Sequence, residues 1–450
     1  MKISKMNPRT DMINRLNIKT YETMKNLLLT CTLFAFVMIA VPQADAQTPA
    51  PKQSEPIALV GGTIHTLAGD VIENGTILFE DGKITAIGSN VNIPSGTRQQ
   101  NVSGKHIYPG LIDSYSQMGI TEIGAVNMTS DVNEQGIINP NVLAERAFHP
   151  ASRHIPIARS AGILTVITTP GGGLISGQSS AMKTDGWAWD EMTLKSSTGL
   201  IVNWPFPSRS DYEDNIQTLR DAFADARSYM KARQAMRSGQ AQRHDTDSRW
   251  EAMIPVFEGN VPVVVSANEV RQIQDAITWA EEEGVRLIIL GGSDAHLVTD
   301  HLRSKNIPVI ITSVQTSSNR DWESYDARYS LPAKLHEAGV TFAIAGGSSA
   351  AYAHRLPYEA GTAAAFGLDA DTALRSLTTY PAAILGLDDY VGTLEVGKDA
   401  SLLITTGNPI EYSTQIEQVY VQGRESDMMD AHRQFYELYR EKLDQRNAER

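Results

Sequence analysis

The sequence predicts an α/β fold whose central strand-and-helix body is flanked at both ends by β-rich segments. After His106, apolar runs of strand length alternate with segments of helical periodicity, the pattern of a parallel sheet or barrel. Before that point, from Ile57 to about Val102, short apolar runs are separated by turns that contain glycine. Similar short runs return after Gly392. A chain of 450 residues suits one large domain or two linked domains.

The composition is that of an acidic globular protein. Hydrophobic residues make up 42% of the chain and charged residues 20%, and the formal net charge is -13. Nucleic acids and anionic membranes attract patches of Lys and Arg, so we expect neither as a partner of the mature chain. The single cysteine, Cys31, lies in an N-terminal apolar segment. The rest of the chain has no thiol for catalysis, for a disulfide or for zinc ligation.

That N-terminal segment predicts export. Lys25 precedes an apolar run from Leu27 to Val41, and the small residues of Ala44-Asp45-Ala46 follow it as a cleavage site. We therefore interpret residues 1–46 as a signal peptide, with Met24 as a possible true start, and expect a secreted or periplasmic protein. The alternative is a membrane anchor, for which the run is short.

A polar linker at residues 47–55 leads into the first β-rich segment, residues 56–105. Its runs are separated by Gly61-Gly62, Asn74-Gly75 and Asp81-Gly82, and the last of these dipeptides predicts a tight hairpin. The predicted strands are Ile57–Val60, Thr63–Leu67, Thr76–Phe79 and Ile84–Ile87.

The middle of the chain, residues 106–388, holds eight candidate strands. Six are clear and two, at 177–182 and 200–203, are weaker. The clear ones are Ile107–Ile112, Ile163–Thr169, Val261–Ser266, Arg286–Leu290, Pro308–Thr312 and Thr341–Ala345. Helices are predicted between them, among them Arg209–Ser238, Glu269–Glu283 and Asp326–Ala338.

The C-terminal end is β-rich again over residues 389–425. Leu402–Ile404 and Ile416–Val421 are its predicted strands. Residues 426–450 are charged and carry apolar side chains at helical spacing, which predicts an amphipathic helix. This helix could be a packed cap or an interface, and we expect the cap.

Two motifs carry a resemblance to a known family. Tyr108-Pro109-Gly110-Leu111-Ile112-Asp113 resembles the signature that opens the barrel of the amidohydrolase superfamily, the imidazolonepropionase-like metal-dependent hydrolases. Gly392-Thr393-Leu394-Glu395-Val396-Gly397-Lys398-Asp399-Ala400 resembles the family's closing signature. The resemblance covers about residues 57–425. It implies a (β/α)₈ TIM-like barrel, and a small composite β-sandwich formed by the N- and C-terminal strands.

The resemblance also defines where the family's metal ligands and catalytic Asp should be. Most of these positions hold other residue types here: Tyr115 and Gln117 stand in place of His-x-His, and Ser266 in place of a third His. Ser348, or its neighbour Ser349, stands in place of the Asp, and His296 alone matches a ligand. The family implies zinc or another divalent metal. Because tyrosine, glutamine and serine are poor zinc ligands, we expect a degenerate site with no cofactor.

Other polar residues on this face are candidates for a rebuilt site. His296, His354 and Asp294 are candidate acid–base or catalytic groups. Lys183 is the nearest candidate for the carboxylated lysine that bridges metals in some members of the family. Candidate substrate-binding residues are Tyr115, Gln117, Asn133, Glu134 and Arg355, the last of which could instead pair with Glu359.

The resemblance therefore implies a hydrolase of non-peptide C–N bonds, acting on a small molecule such as a cyclic amide or a dipeptide-like compound. The substituted positions leave an alternative open. In that alternative, the chain is a metal-free pseudoenzyme that binds a ligand, or a partner subunit of an active amidohydrolase. A homo-oligomer or a hetero-oligomer with such a paralogue is compatible with both.

Overall fold

The computed structural model describes residues 48–239, 245–318 and 320–448. The predicted signal peptide at residues 1–46, and the possible start at Met24, lie outside the described residues. Within the described ranges, no helix has the length and apolar character needed to cross a membrane.

One eight-stranded sheet combines strands from both ends of the chain, as predicted. Its strands follow the order β16-β15-β14-β5-β1-β2-β3, and β4 pairs with β1 beside β5. The strands are β1 Ile57–Ile64, β2 Ile72–Glu80, β3 Lys83–Gly88, β4 Arg98–Asn101, β5 His106–Pro109, β14 Leu402–Thr405, β15 Ile416–Val421 and β16 Arg424–Ser426. The antiparallel pair β5–β14, with Ile107 opposite Ile404, joins the N-terminal strands to the C-terminal ones.

The predicted hairpin at Asp81-Gly82 is confirmed, and it connects β2 to β3. Both residues have positive φ angles, 49° and 78°, as a type I′ turn requires. Asn74-Gly75 lies inside β2 rather than between strands, and the two runs on either side of Gly61-Gly62 form the single strand β1.

The second sheet is the nearly closed barrel, and its eight strands follow chain order from β6 to β13. They are β6 Leu111–Ser116, β7 Ile163–Thr168, β8 Ile175–Lys183, β9 Thr193–Asn203, β10 Val263–Ala267, β11 Leu287–Gly291, β12 Val309–Ile311 and β13 Phe342–Ile344. All ladders are parallel except those of β8, which runs antiparallel to both neighbours. The barrel therefore has the predicted strand count, with one strand reversed.

The predicted strand Ile107–Ile112 belongs to two sheets. The chain leaves β5 at Pro109, the Gly110 amide donates to the Ser401 carbonyl at 3.0 Å, and β6 begins at Leu111. The barrel thus starts a few residues later than the predicted boundary at 106. Ile112 then contributes to the apolar interior of the barrel.

The helices pack around the barrel, except for the last one. They are α1 His154–Ser160, α2 Trp189–Met192, α3 Tyr212–Arg237, α4 Ser248–Phe257, α5 Val270–Glu283, α6 Thr299–Ser304, α7 Leu331–Glu337, α8 Leu356–Ala365, α9 Ala370–Arg375, α10 Thr379–Leu385 and α11 Ala431–Ala448. No residue of α11 is buried, and Phe435, Leu438 and Tyr439 are exposed. The expected packed cap is therefore wrong, and the helix projects from the rest of the described chain.

Candidate functional site

The C-terminal ends of the seven parallel barrel strands meet at one face, which we call the barrel mouth. Seven of the polar residues at or just beyond these strand ends are uncharged. They are Gln117, Thr169, Asn203, Ser266, Ser293, Ser313 and Ser348. This face is where enzymes with such barrels place their chemistry.

Four of the polar side chains at the mouth are available to a ligand. The side chains of Tyr115, Gln117, Ser266 and Ser348 have no hydrogen-bond partner among the described residues, and each is partly exposed. The backbone is ordered there, since the Gln117 amide donates to the Ser348 carbonyl at 2.9 Å. The Tyr115 ring packs against the apolar interior of the barrel.

These side chains do not suit the metal that the family implies. Burial raises the pKa of the Tyr115 hydroxyl, and the nearby Asp113 raises it further, so the phenolate that could bind zinc is disfavoured. Gln117, Ser266 and Ser348 offer only neutral oxygens, which bind zinc poorly. Within the described ranges, no group of three or more His, Cys, Asp or Glu residues is placed to hold a metal ion.

Asp113, at the end of the opening motif, is the unusual titratable group near the mouth. Its carboxylate is fully buried, and Oδ1 accepts hydrogen bonds from the amides of Gly346 at 3.1 Å and Tyr115 at 3.4 Å. Oδ2 is buried and has no partner among the described residues. Burial raises the pKa of Asp113 from 3.8 to about 7, with a smaller contribution from Glu359. Asp113 can therefore exchange a proton near neutral pH.

Glu359 has a structural position beside the same strand ends. Its carboxylate accepts from the amides of Val314 at 2.6 Å and Gln315 at 2.7 Å, in the loop after β12. Burial raises the pKa of Glu359 in spite of these bonds. Arg355 instead lies over the Tyr352 ring, 4.2 Å from its centroid. The alternative prediction for Arg355 was an ion pair with Glu359. Its guanidinium instead contacts the Tyr352 ring.

Asp294, a predicted catalytic candidate, is a buried carboxylate held in an ion pair with the partly exposed Arg320. Arg320 donates to both of its oxygens, at 2.9 and 2.8 Å, and the Val270 amide donates at 3.0 Å. Burial would raise the pKa of Asp294, but the bonds from Arg320 and Val270 outweigh it and lower the pKa. The carboxylate therefore joins the loop after β12 to the start of α5.

The two histidine candidates have separate surroundings. His296 lies in a 3-10 turn after β11, and its pKa is lowered by burial and by Lys334. His354 lies after β13, its pKa is lowered by burial and by His432, and the two imidazole centroids are 5.6 Å apart. No hydrogen bond of the described residues joins His296 to His354. Their catalytic roles stay predictions.

The remaining candidates lie on loops or away from the mouth. Asn133 and Glu134 are exposed in the long loop after β6, where Asn133 pairs with Gly171 as an isolated bridge. Because β8 is reversed, Lys183 lies at the opposite end of the barrel. Its Nζ donates to Gln422 at 2.6 Å there, and the prediction of a metal-bridging lysine is therefore wrong.

Sequence reasoning missed Asp113 as a proton-exchanging group. The residue belongs to the quoted opening motif, which we used only to recognise the fold. The available signal was a carboxylate inside an apolar run, where a buried charge is costly and its pKa is therefore shifted.

Comparison with known proteins agrees with this architecture. A family model described as the Amidohydrolase family matches residues 252–426. The curated relative Amidohydrolase tasK of Hapsidospora irregularis is 22% identical over 410 residues, which cover 83% of this chain and 41% of the relative. The chain thus spans less than half the length of that relative.

Solved structures share the barrel. An amidohydrolase from Thermotoga maritima MSB8 superposes with a TM-score of 0.76 at 28% identity, covering 82% of this chain and 99% of that one. A prolidase complexed with N-methylphosphonate-L-proline is 16% identical with a TM-score of 0.51, covering 83% and 99%, and shows the fold alone. The family match, the curated relative and the Thermotoga structure together support membership of the amidohydrolase superfamily.

Proposed function

We propose that the protein hydrolyses C–N bonds other than peptide bonds in small molecules, such as cyclic amides or dipeptide-like compounds, at the barrel mouth. Membership of a hydrolase family supports the reaction class. Hydrolysis needs a group that takes a proton from the attacking water, and such groups work best with a pKa near the operating pH. The match of residues 252–426 to the Amidohydrolase family is the observation that carries this proposal. Burial raises the pKa of Asp113 to about 7, but its carboxyl is fully buried, so we assign it no contact with the attacking water.

The reaction that we propose does not run through the family's metal set, because the side chains at those positions do not suit zinc. The test uses the chain from Gln47 onward, expressed in zinc-supplemented medium. Its metal content is measured by elemental analysis, and release of amine or carboxylate is followed on a panel of cyclic amides and dipeptides. We expect turnover that does not require stoichiometric metal. Turnover that appears only with bound zinc would refute the prediction of a degenerate metal site, but it would agree with the proposed hydrolase activity.

A second candidate function is binding without hydrolysis. The four uncharged side chains at the family's ligand positions favour it, because they can hold a ligand but cannot activate water as a metal does. In this case the whole panel stays intact, although some members bind.

We also propose that the protein is exported. We further propose that it associates through α11 with a second protein, for which an active amidohydrolase is the candidate. The apolar residues that α11 exposes support the association. Fractionation of the native cells tests the location. Co-purification with the full chain, compared with a chain ending at Asp430, tests the partner. Recovery of the full chain as a monomer, without companion proteins, would contradict the association.

A further inference from the structure

We propose that the barrel mouth selects an uncharged, amphiphilic amide, whose amide group binds the four free side chains and whose apolar groups bind the surrounding loops. This inference rests on the proposed function in one respect only, namely that the mouth is the ligand site. It names the chemistry of the ligand and does not depend on whether the ligand is hydrolysed.

The four free side chains, Tyr115, Gln117, Ser266 and Ser348, form what we call the floor of the site. They offer both hydrogen-bond donors and acceptors but no charge. The Gln117 amide has one carbonyl and one NH₂ group, and the hydroxyls of Tyr115, Ser266 and Ser348 can donate or accept. None of the four has a hydrogen-bond partner among the described residues. A ligand with C=O and N–H groups can therefore satisfy them, as it would satisfy another amide.

Three charged side chains beside the strand ends are engaged in contacts within the protein. Asp294 and Arg320 bind each other, and Glu359 binds two backbone amides. Asp113 is fully buried. A carboxylate or ammonium group that entered the floor would lose water without gaining a counter-charge, which is costly. Arg355, exposed on the loop after β13, is the cation that could reverse this preference.

The loops that surround the mouth expose an unusual number of large apolar side chains. Met128 is 97% exposed, and Trp322 and Tyr325 are 75% and 76% exposed. The members of this set, which we call the apolar rim, follow strands β6, β9, β11, β12 and β13. They are Ile123, Val126, Met128, Ile137, Phe206, Leu297, Trp322, Tyr325 and Tyr352.

Nine of the eleven described large apolar residues that are exposed between residues 106 and 388 belong to the apolar rim. Between residues 106 and 388, the described exposed large apolar residues outside the rim are Trp187 and Tyr358. Trp187 follows the reversed strand β8 and thus lies at the opposite end. Exposed apolar side chains that surround a polar floor fit a ligand with a polar centre and apolar substituents.

The test measures binding by calorimetry and by tryptophan fluorescence, with three probes and the chain from Gln47 onward. N-acetyl-leucyl-phenylalanine amide is uncharged and apolar. N-acetyl-leucyl-phenylalanine has the same side chains and a free carboxylate. N-acetyl-glycyl-glycine amide is uncharged and lacks apolar side chains. We expect the first probe to bind about tenfold or more tighter than either of the others.

Variants separate the floor from the apolar rim. Trp322→Ser with Tyr325→Ser should weaken the first probe about tenfold and leave the glycine probe unchanged. Gln117→Ala should weaken both uncharged probes. Trp187→Ser is the matched control, an exposed tryptophan at the other end, and should change neither.

The outcomes distinguish the inferred ligand preference from the proposed hydrolysis. Tightest binding of the carboxylate probe, lost in Arg355→Ala, would overturn the inference, as would equal binding of all three probes or an equal effect of Trp187→Ser. Selective binding of the uncharged apolar probe without any turnover supports the inference while contradicting the proposed hydrolysis. Turnover restricted to charged, hydrophilic amides would support the proposed hydrolysis and contradict the inferred preference for uncharged, amphiphilic amides.

Discussion

Replacing Asp113 with Asn should remove a large pH dependence from the stability of the fold. In the folded protein, burial raises the pKa of Asp113 from 3.8 to about 7. Between these pH values the unfolded chain has released the proton and the folded chain still holds it. The folded state therefore binds more protons, and its stability falls as the pH rises. The fall is complete above pH 7, where both states are ionised.

The size of the effect follows from the shift. One pKa unit corresponds to about 1.4 kcal/mol, so the whole shift costs about 4 kcal/mol. About 3 kcal/mol of this is lost between pH 4.5 and 8.5. Asn has nearly the same shape as protonated Asp, and its oxygen can still accept from Gly346 and Tyr115. The variant should exceed the wild type by about 1 kcal/mol at pH 4.5 and by about 4 kcal/mol at pH 8.5, a difference of about 3 kcal/mol between the two pH values.

The assay is urea unfolding of both proteins at the two pH values, so that all other titrating groups cancel in the double difference. Asp300→Asn, at a side chain that is 89% exposed, is the control and should show no such difference. Identical pH dependence of the wild type and Asp113→Asn would falsify the raised pKa.

The other predictions concern individual contacts and their contribution to the stability of the domain. Arg159 and Asp185 form a buried ion pair at 3.3 Å, so Arg159→Met should lower the free energy of unfolding by about 3–5 kcal/mol, and adding Asp185→Asn should restore part of it. Gly173 has a φ of +63° and lies against the backbone of Ile137, so Gly173→Ala should lower the unfolding temperature by several degrees. Deleting residues 431–450 should leave the unfolding free energy unchanged, since α11 buries no residue; a loss above about 1 kcal/mol would show hidden packing.

Much of the fold could be predicted because each strand has its own local pattern. The Asp81-Gly82 turn and the eight apolar runs of the barrel depend on neighbouring residues only. Strand direction is different. Nothing in the composition of β8 distinguishes a reversed strand from a parallel one, because direction is set by the length of the connections and by pairing partners.

Strand boundaries and side-chain environments were harder to predict, because they too depend on residues that are distant in the sequence. The run from Ile107 to Ile112 is divided between two sheets at Pro109-Gly110, a dipeptide typical of turns that we did not use as a strand boundary. The floor residues were predicted as a set, because a family motif fixed their places. The size of the pKa shift of Asp113 was not predicted, since it depends mainly on burial by segments distant in the sequence, such as that around Gly346, 233 residues away.

The four free side chains at the floor are the ones that the proposed ligand would contact. They come from β6, β10 and the loop after β13, which are far apart in the sequence, yet all four are uncharged and able to form hydrogen bonds. Polar groups at partly buried positions add nothing to stability without a partner, and apolar side chains would pack there at lower cost. In our proposal the ligand supplies such a partner, which accounts for both their chemistry and their shared place. A site that served only the barrel core would instead be filled as its interior is, by residues such as Ile112, Ile201 and Ile310.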